Sequence, residues 1–142
     1  MTEIPRLEIL AQEVITIFEV KSPPVPIERM LQHPPPDMWE EVDIAKLSLG
    51  FLSVKERYSP RMSLTRLLAR HIINSAWGTQ QDIGTLISSD EDVYAFARML
   101  IMPLDMIRAL SANARASAIL SSHFEVPEDD ASQRLFEIAT YL

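Results

Sequence analysis

Along most of this chain apolar residues recur at intervals of three and four, the spacing that gathers side chains on one face of an α-helix. Residues 6–19 open with such a stripe: Leu7, Leu10, Ala11, Val14, Ile17 and Phe18. Glu3 and Glu8 lie near its N-terminal end, where the helix dipole favours acids. Lys21-Ser22-Pro23-Pro24 is expected to stop this helix, since proline cannot continue the hydrogen-bonded ladder. A short helix from Pro26 to Gln32 follows, and Pro34-Pro35-Pro36 then imposes an extended connection. The central stretch, Arg61 to Trp77, is expected to form one long helix. Leu64, Leu67, Leu68, His71 and Ser75 share one face of it, with Arg66, Arg70, Met62 and Ile73 on roughly the opposite side. Apolar residues on most of its circumference mark a buried helix, in which two arginines four apart need partners.

Gly78 is expected to end that helix, with a polar loop running on to Ser89. Ser89-Asp90-Glu91-Asp92 has the pattern of an N-cap followed by first-turn acids, ahead of the stripe Val93, Phe96, Ala97 and Leu100. Met102-Pro103 breaks this helix, and Pro103 opens another carrying Met106, Ile107 and Leu110. Ala114 to His123 reads as helical, and Pro127-Glu128-Asp129-Asp130 starts a last helix with Ala131, Leu135, Ile138 and Ala139 inward. Between these regions the period changes. Leu47, Leu49 and Phe51 alternate with Ser48 and Gly50, which suits a short strand extending as far as Val54, and Glu40 to Leu47 suits a turn or two of helix. The expectation is a mainly helical α+β domain spanning residues 1–142, with a small sheet beside the central helix.

Composition narrows the function classes. An apolar fraction of 47% over 142 residues provides a real core in one ordinary domain. The net charge of −7 repels phosphate backbones, so nucleic acid is not an expected direct partner. No apolar run approaches the roughly 20 residues of a membrane span, and no signal-peptide pattern is present, so no membrane partner is expected. The absence of cysteine removes disulfides, thiolate zinc sites and cysteine nucleophiles, and fits the cytoplasm. No glycine-rich phosphate loop can be built from the three glycines. His71 lies among leucines, about 140° around the helix from Arg66, and reads as a core histidine; His33 and His123 fall in or beside loops. Trp39 and Trp77 read as core or lid packing rather than as partner anchors.

Three motifs, taken in order, carry a resemblance. Pro23-Pro24-Val25-Pro26-Ile27-Glu28 forms an early proline motif. Asp90 to Pro103, with Phe96-Ala97 and Leu100-Ile101-Met102-Pro103, is similar to an ExxANxFAxxLLMP pattern. His123-Phe124-Glu125-Val126 through Ala131 and Arg134-Leu135 looks like an FxVSxxAxxxRL close. Together they resemble the ImmA/IrrE family of metallopeptidase-like regulators over nearly the whole chain, which implies a zincin-like fold. The family's central helix runs RFTLAHELGH, and the same register here reads Arg61-Met62-Ser63-Leu64-Thr65-Arg66-Leu67-Leu68-Ala69-Arg70. HExxH binds zinc through two histidines on one helix face, and its glutamate activates the bound water. In this register Arg66 and Arg70 occupy the metal positions and Leu67 the general-base position. Asp90, with Glu91 beside it, matches the third ligand, and Tyr94 replaces the motif's Asn. A guanidinium has no lone pair for a metal, and Leu67 cannot take a proton.

The resemblance therefore implies a pseudoenzyme with no cofactor: a non-catalytic regulatory or protein-interaction module, in a family that cleaves repressor-type regulators in stress responses and mobile-element control. Its partner is expected to be a protein, such as a repressor-type transcription regulator, and a homo-oligomer is also compatible. The alternative is a hydrolase with a relocated metal site using His71, Asp90 or Glu91. Two contacts are expected on this reading: His71 buried among helices, and Arg66 or Arg70 paired with Asp90 or Glu91 in place of a metal.

Overall fold

A computed structural model of the chain describes residues 3–36, 38–46 and 57–142. Eight α-helices follow in order: α1 (Arg6–Ile17), α2 (Ile27–Gln32), α3 (Ser59–Asn74), α4 (Ala76–Gln80), α5 (Asp90–Ile101), α6 (Leu104–Arg108), α7 (Ser117–Phe124) and α8 (Glu128–Ile138). Short 3₁₀ turns lie at Ile44–Lys46, Ile83–Leu86, Ala112–Ala114 and Ala139–Tyr141. Among the described residues there is no strand, so the expected α+β architecture with a small sheet beside the central helix is corrected to an all-helical one. The alternating segment 47–54, read as a strand, lies outside the described residues. No described helix is long and apolar enough to cross a membrane.

The core is built around α5. Its residues Val93, Phe96, Ala97 and Leu100 are buried, and the helix packs on α1, α3 and α8. The Ser89 hydroxyl accepts the Asp92 N–H at 3.4 Å, while Asp92 accepts from the Ser88 N–H and hydroxyl, both at 2.8 Å. This reciprocal cap satisfies orphan donors at the helix start, as the sequence pattern predicts. Leu7, Leu10, Ala11 and Val14 bury the inner side of α1. That helix stops before the expected prolines. Glu19 takes a left-handed φ of 56°, its N–H bonds to the Thr16 carbonyl, and Val20 N–H reaches the Ile15 carbonyl at 3.1 Å. These two bonds satisfy carbonyls that the helix end leaves open.

The central helix is shorter than expected, ending at Asn74 rather than Trp77. Ser75 is the reason. Its hydroxyl donates to the Ile72 carbonyl at 2.7 Å and accepts the Gly78 N–H at 2.9 Å, closing α3 and capping α4 together. Gly78 therefore lies inside α4 rather than ending the central helix, and the predicted loop to Ser89 contains α4 and a 3₁₀ turn. The buried arc of α3 also differs from the predicted leucine face. Met62, Thr65, Ala69 and Ile72 are buried with Leu64 and Leu68, whereas Leu67 and His71 are half-buried. The last helix turns Ala131 and Ile138 inward but leaves Leu135 half-buried and Ala139 exposed. The helix expected from Ala114 begins at Ser117.

Arg61, at the start of α3, fastens three elements. Its guanidinium donates to the Val25 carbonyl at 3.0 Å, to the Phe124 and Glu125 carbonyls at 3.2 and 3.1 Å, and to the Glu28 carboxylate at 3.3 Å. Trp39 is buried and stacks on Phe18 at 5.5 Å between ring centres, and Trp77 packs half-buried against the core.

Candidate functional site

Ser63, Arg66, Leu67 and Arg70 follow one another on α3 at helical spacing, from the buried Ser63 to the exposed Arg70. With Tyr94 of α5 they line a cleft of about 180 Å³. Arg66, Leu67 and Arg70, the positions aligned with HExxH in the sequence reading, thus line one cleft. The arginines are not buried, however: 34% of the Arg66 side chain and 46% of the Arg70 side chain remain exposed. The helix face that carries them is a cleft wall rather than part of a buried circumference.

Each arginine has a different partner. Arg70 Nη2 lies 3.6 Å from Asp90 Oδ1 across the α3–α5 contact, one of the Arg–acid pairs expected from the sequence. That pair stands in solvent, with 75% of the Asp90 side chain exposed, and not in a dry cleft. Glu91 is exposed beside it. Arg66 instead lays its guanidinium over the Tyr94 ring, 4.6 Å from the ring centre, and approaches Asp130 of α8 at 3.8 Å. Its Nε is buried without a hydrogen-bond partner among the described residues.

Asp130 leads to residues that the sequence reading passed over. It also lies 3.9 Å from Arg98, which donates two hydrogen bonds to Glu137, Nε to Oε1 at 3.0 Å and Nη2 to Oε2 at 2.8 Å. The chain Arg66–Asp130–Arg98–Glu137 thus ties α3, α8 and α5 behind the cleft. Burial pushes the Asp130 carboxyl above its ordinary range, and Arg66 and Arg98 pull it back down. A signal for this network exists in the sequence: Arg98 interrupts a run of buried apolar residues on α5 and is itself buried.

A zinc ion does not fit these residues. Arg66 and Arg70 offer no lone pair, and Leu67 has no acid–base function. Among the described residues, no three His, Asp or Glu side chains are gathered so as to hold a metal. His71 is half-buried, short of the largely buried position expected of it, and His33 and His123 are exposed. What the cleft offers chemically is a pair of fixed positive charges flanking an apolar side chain, with an aromatic wall. That set suits a carboxylate on a short side chain. Comparison with protein-family models, curated proteins and solved structures finds no match to this chain.

Proposed function

We propose that the chain is a non-catalytic protein-interaction module of the regulatory type its motifs resemble, with the α3 cleft receiving an acidic side chain of a repressor-like partner. The observation that carries this reading is the convergence of Arg66, Leu67 and Arg70 in one cleft, at the positions where HExxH would place two ligands and a base. Three further features support it. Arg70 is committed to an exposed, weakly held pair, the buried Arg66 Nε has no hydrogen-bond partner among the described residues, and the Tyr94 ring lies under the Arg66 guanidinium in the cleft wall. A hydrolase with a relocated metal site would draw on His71, Asp90 or Glu91, and no group of three His, Asp or Glu side chains suited to a metal forms among the described residues.

Two measurements test the proposal. Metal analysis of protein purified without chelator is expected to give far less than stoichiometric zinc; stoichiometric zinc overturns the reading. Capture of a repressor-type regulator on the immobilised chain is expected to disappear when Arg66 and Arg70 are both changed to Glu with the fold intact. Capture that survives the double change removes the cleft from the interaction.

A further inference from the structure

A second surface, sharing no lining residue with the cleft, lies on the outer side of α1. Ile9 and Ile17 are each 42% exposed there, with Gln12, Glu13 and Thr16 filling the helical positions between them. With Ile4, and with Leu104 and Asp105 at the start of α6, they line an apolar groove of about 440 Å³. A smaller depression shares Ile4 and Ile9 and is lined also by Glu3 and Arg6. A soluble chain seldom leaves a continuous apolar groove open along a helix without use for it. Two details describe what it would hold. Gln12 Oε1 is buried with no hydrogen-bond partner among the described residues. Glu3, Glu13 and Asp105 on the rim are exposed and make no ion pair among the described residues, whereas the neighbouring cation, Arg6, donates to Gln81 at 3.3 Å.

We infer that this groove docks an amphipathic helical segment of a partner protein, apolar on the face it inserts and carrying Lys or Arg beside that face. The α1 edge is 12 residues long, about 18 Å at 1.5 Å per residue, which accommodates about three turns of such a helix. The acidic rim decides among occupants. A second copy would set Glu13 and Asp105 against their own counterparts in a chain of net charge −7, and an anionic lipid surface would meet the same repulsion. A basic helix is drawn in by it. The inference goes beyond the α3 cleft and does not depend on it.

The probe is a labelled peptide of about four helical turns made only of Leu and Lys, with Leu at helical spacing, titrated into the full chain by fluorescence anisotropy and by NMR. Saturable binding is expected, with shifts at Ile9, Gln12, Ile17 and Leu104. Affinity should fall by about tenfold or more with Ile9→Asp or with Ile17→Asp, two exposed positions whose substitution circular dichroism checks for folding. Reversing the rim with Glu13→Lys and Asp105→Lys should transfer binding to a Leu/Glu peptide. Reversing distant acids, Glu128→Lys and Asp129→Lys, should leave the Leu/Lys peptide bound, and so should Arg70→Glu, which separates this groove from the cleft. Absence of saturable binding, binding indifferent to the Ile9, Ile17 and rim changes, or a dimer that Ile9→Asp dissociates each overturns the inference.

Discussion

Glu8 of α1 and Arg134 of α8 form a buried ion pair that joins the two ends of the chain. Arg134 Nη2 donates to Glu8 Oε1 at 2.9 Å, and Nη1 donates to Oε2. The arginine is completely buried and uses its Nε on the Met102 carbonyl at 3.0 Å, where α5 ends; the Tyr141 hydroxyl donates to Glu8 Oε2 at 3.3 Å. Four separate elements therefore share one charge pair. The fork geometry of the guanidinium is what lets a single residue serve two acceptors at once.

Breaking this pair from one side should be the costliest charge change in the molecule. Glu8→Leu or Arg134→Met alone leaves an uncompensated buried group and should lose about 3–5 kcal/mol in urea denaturation. The double change Glu8→Leu with Arg134→Met should be less destabilised than the Arg134→Met single, because no charge is then stranded. A double change costing the sum of the two singles would show that the pair is not coupled.

The exposed pair across the cleft should behave oppositely. Arg70 and Asp90 meet at 3.6 Å in solvent, where screening and side-chain entropy cancel most of the attraction. Arg70→Leu should change stability by less than about 1 kcal/mol, measured in the same denaturation. A larger loss would mean that the guanidinium holds α3 and α5 together as a metal would.

Asp130 should titrate above the ordinary 3.8, because burial raises it more than Arg66 and Arg98 lower it. The folded chain then holds this proton more tightly than the unfolded chain. The group's contribution to stability is fully present below 3.8 and is lost as pH rises through the folded value. Asp92 has the opposite sign. Hydrogen bonds from Ser88 hold it below 3.8, so its contribution is present above that value and is lost as pH falls through its folded pKa. Arg66→Gln removes one of the cations facing Asp130 and should raise its pKa further, read from the carboxyl carbon shift in an NMR titration. An unchanged or lowered value would refute the contact.

Two glycines should respond in opposite directions to alanine. A Cβ at Gly78 would collide with the Ile72 carbonyl oxygen and lie 2.8 Å from that of Ile73, so α4 could not fold back onto the last turn of α3. Gly78→Ala should cost about 1–3 kcal/mol, as overpacking does. Gly84 has nothing within 4 Å of such a Cβ, and Gly84→Ala should stabilise by about 0.4–1 kcal/mol through the unfolded chain. Melting temperatures of the two variants check both signs.

What the sequence determined by itself is local. The cap at Ser89, the stripe of α5, the start of α8 at Glu128 and the break at Met102-Pro103 were all legible, because a cap, a period or a proline acts within a turn or two of its own position. Helical spacing alone also puts Arg66 and Arg70 together, but it set Leu67 with the opposite, leucine face, and only the structure brings Leu67 into the same cleft. The tertiary structure decided what covers each face. Leu67 and His71 were read as core because they stand among leucines, but the packing leaves both half-buried, Leu67 in the wall of the cleft. Ser75 divides the central helix only because α4 folds back and gives its hydroxyl a second partner in Gly78. Glu8 and Arg134, or Asp130 and Arg98, are ordinary charges in a linear sequence. They become buried pairs only when distant helices take their water away, and apart from Arg98 standing within the apolar run of α5 no local pattern records that removal.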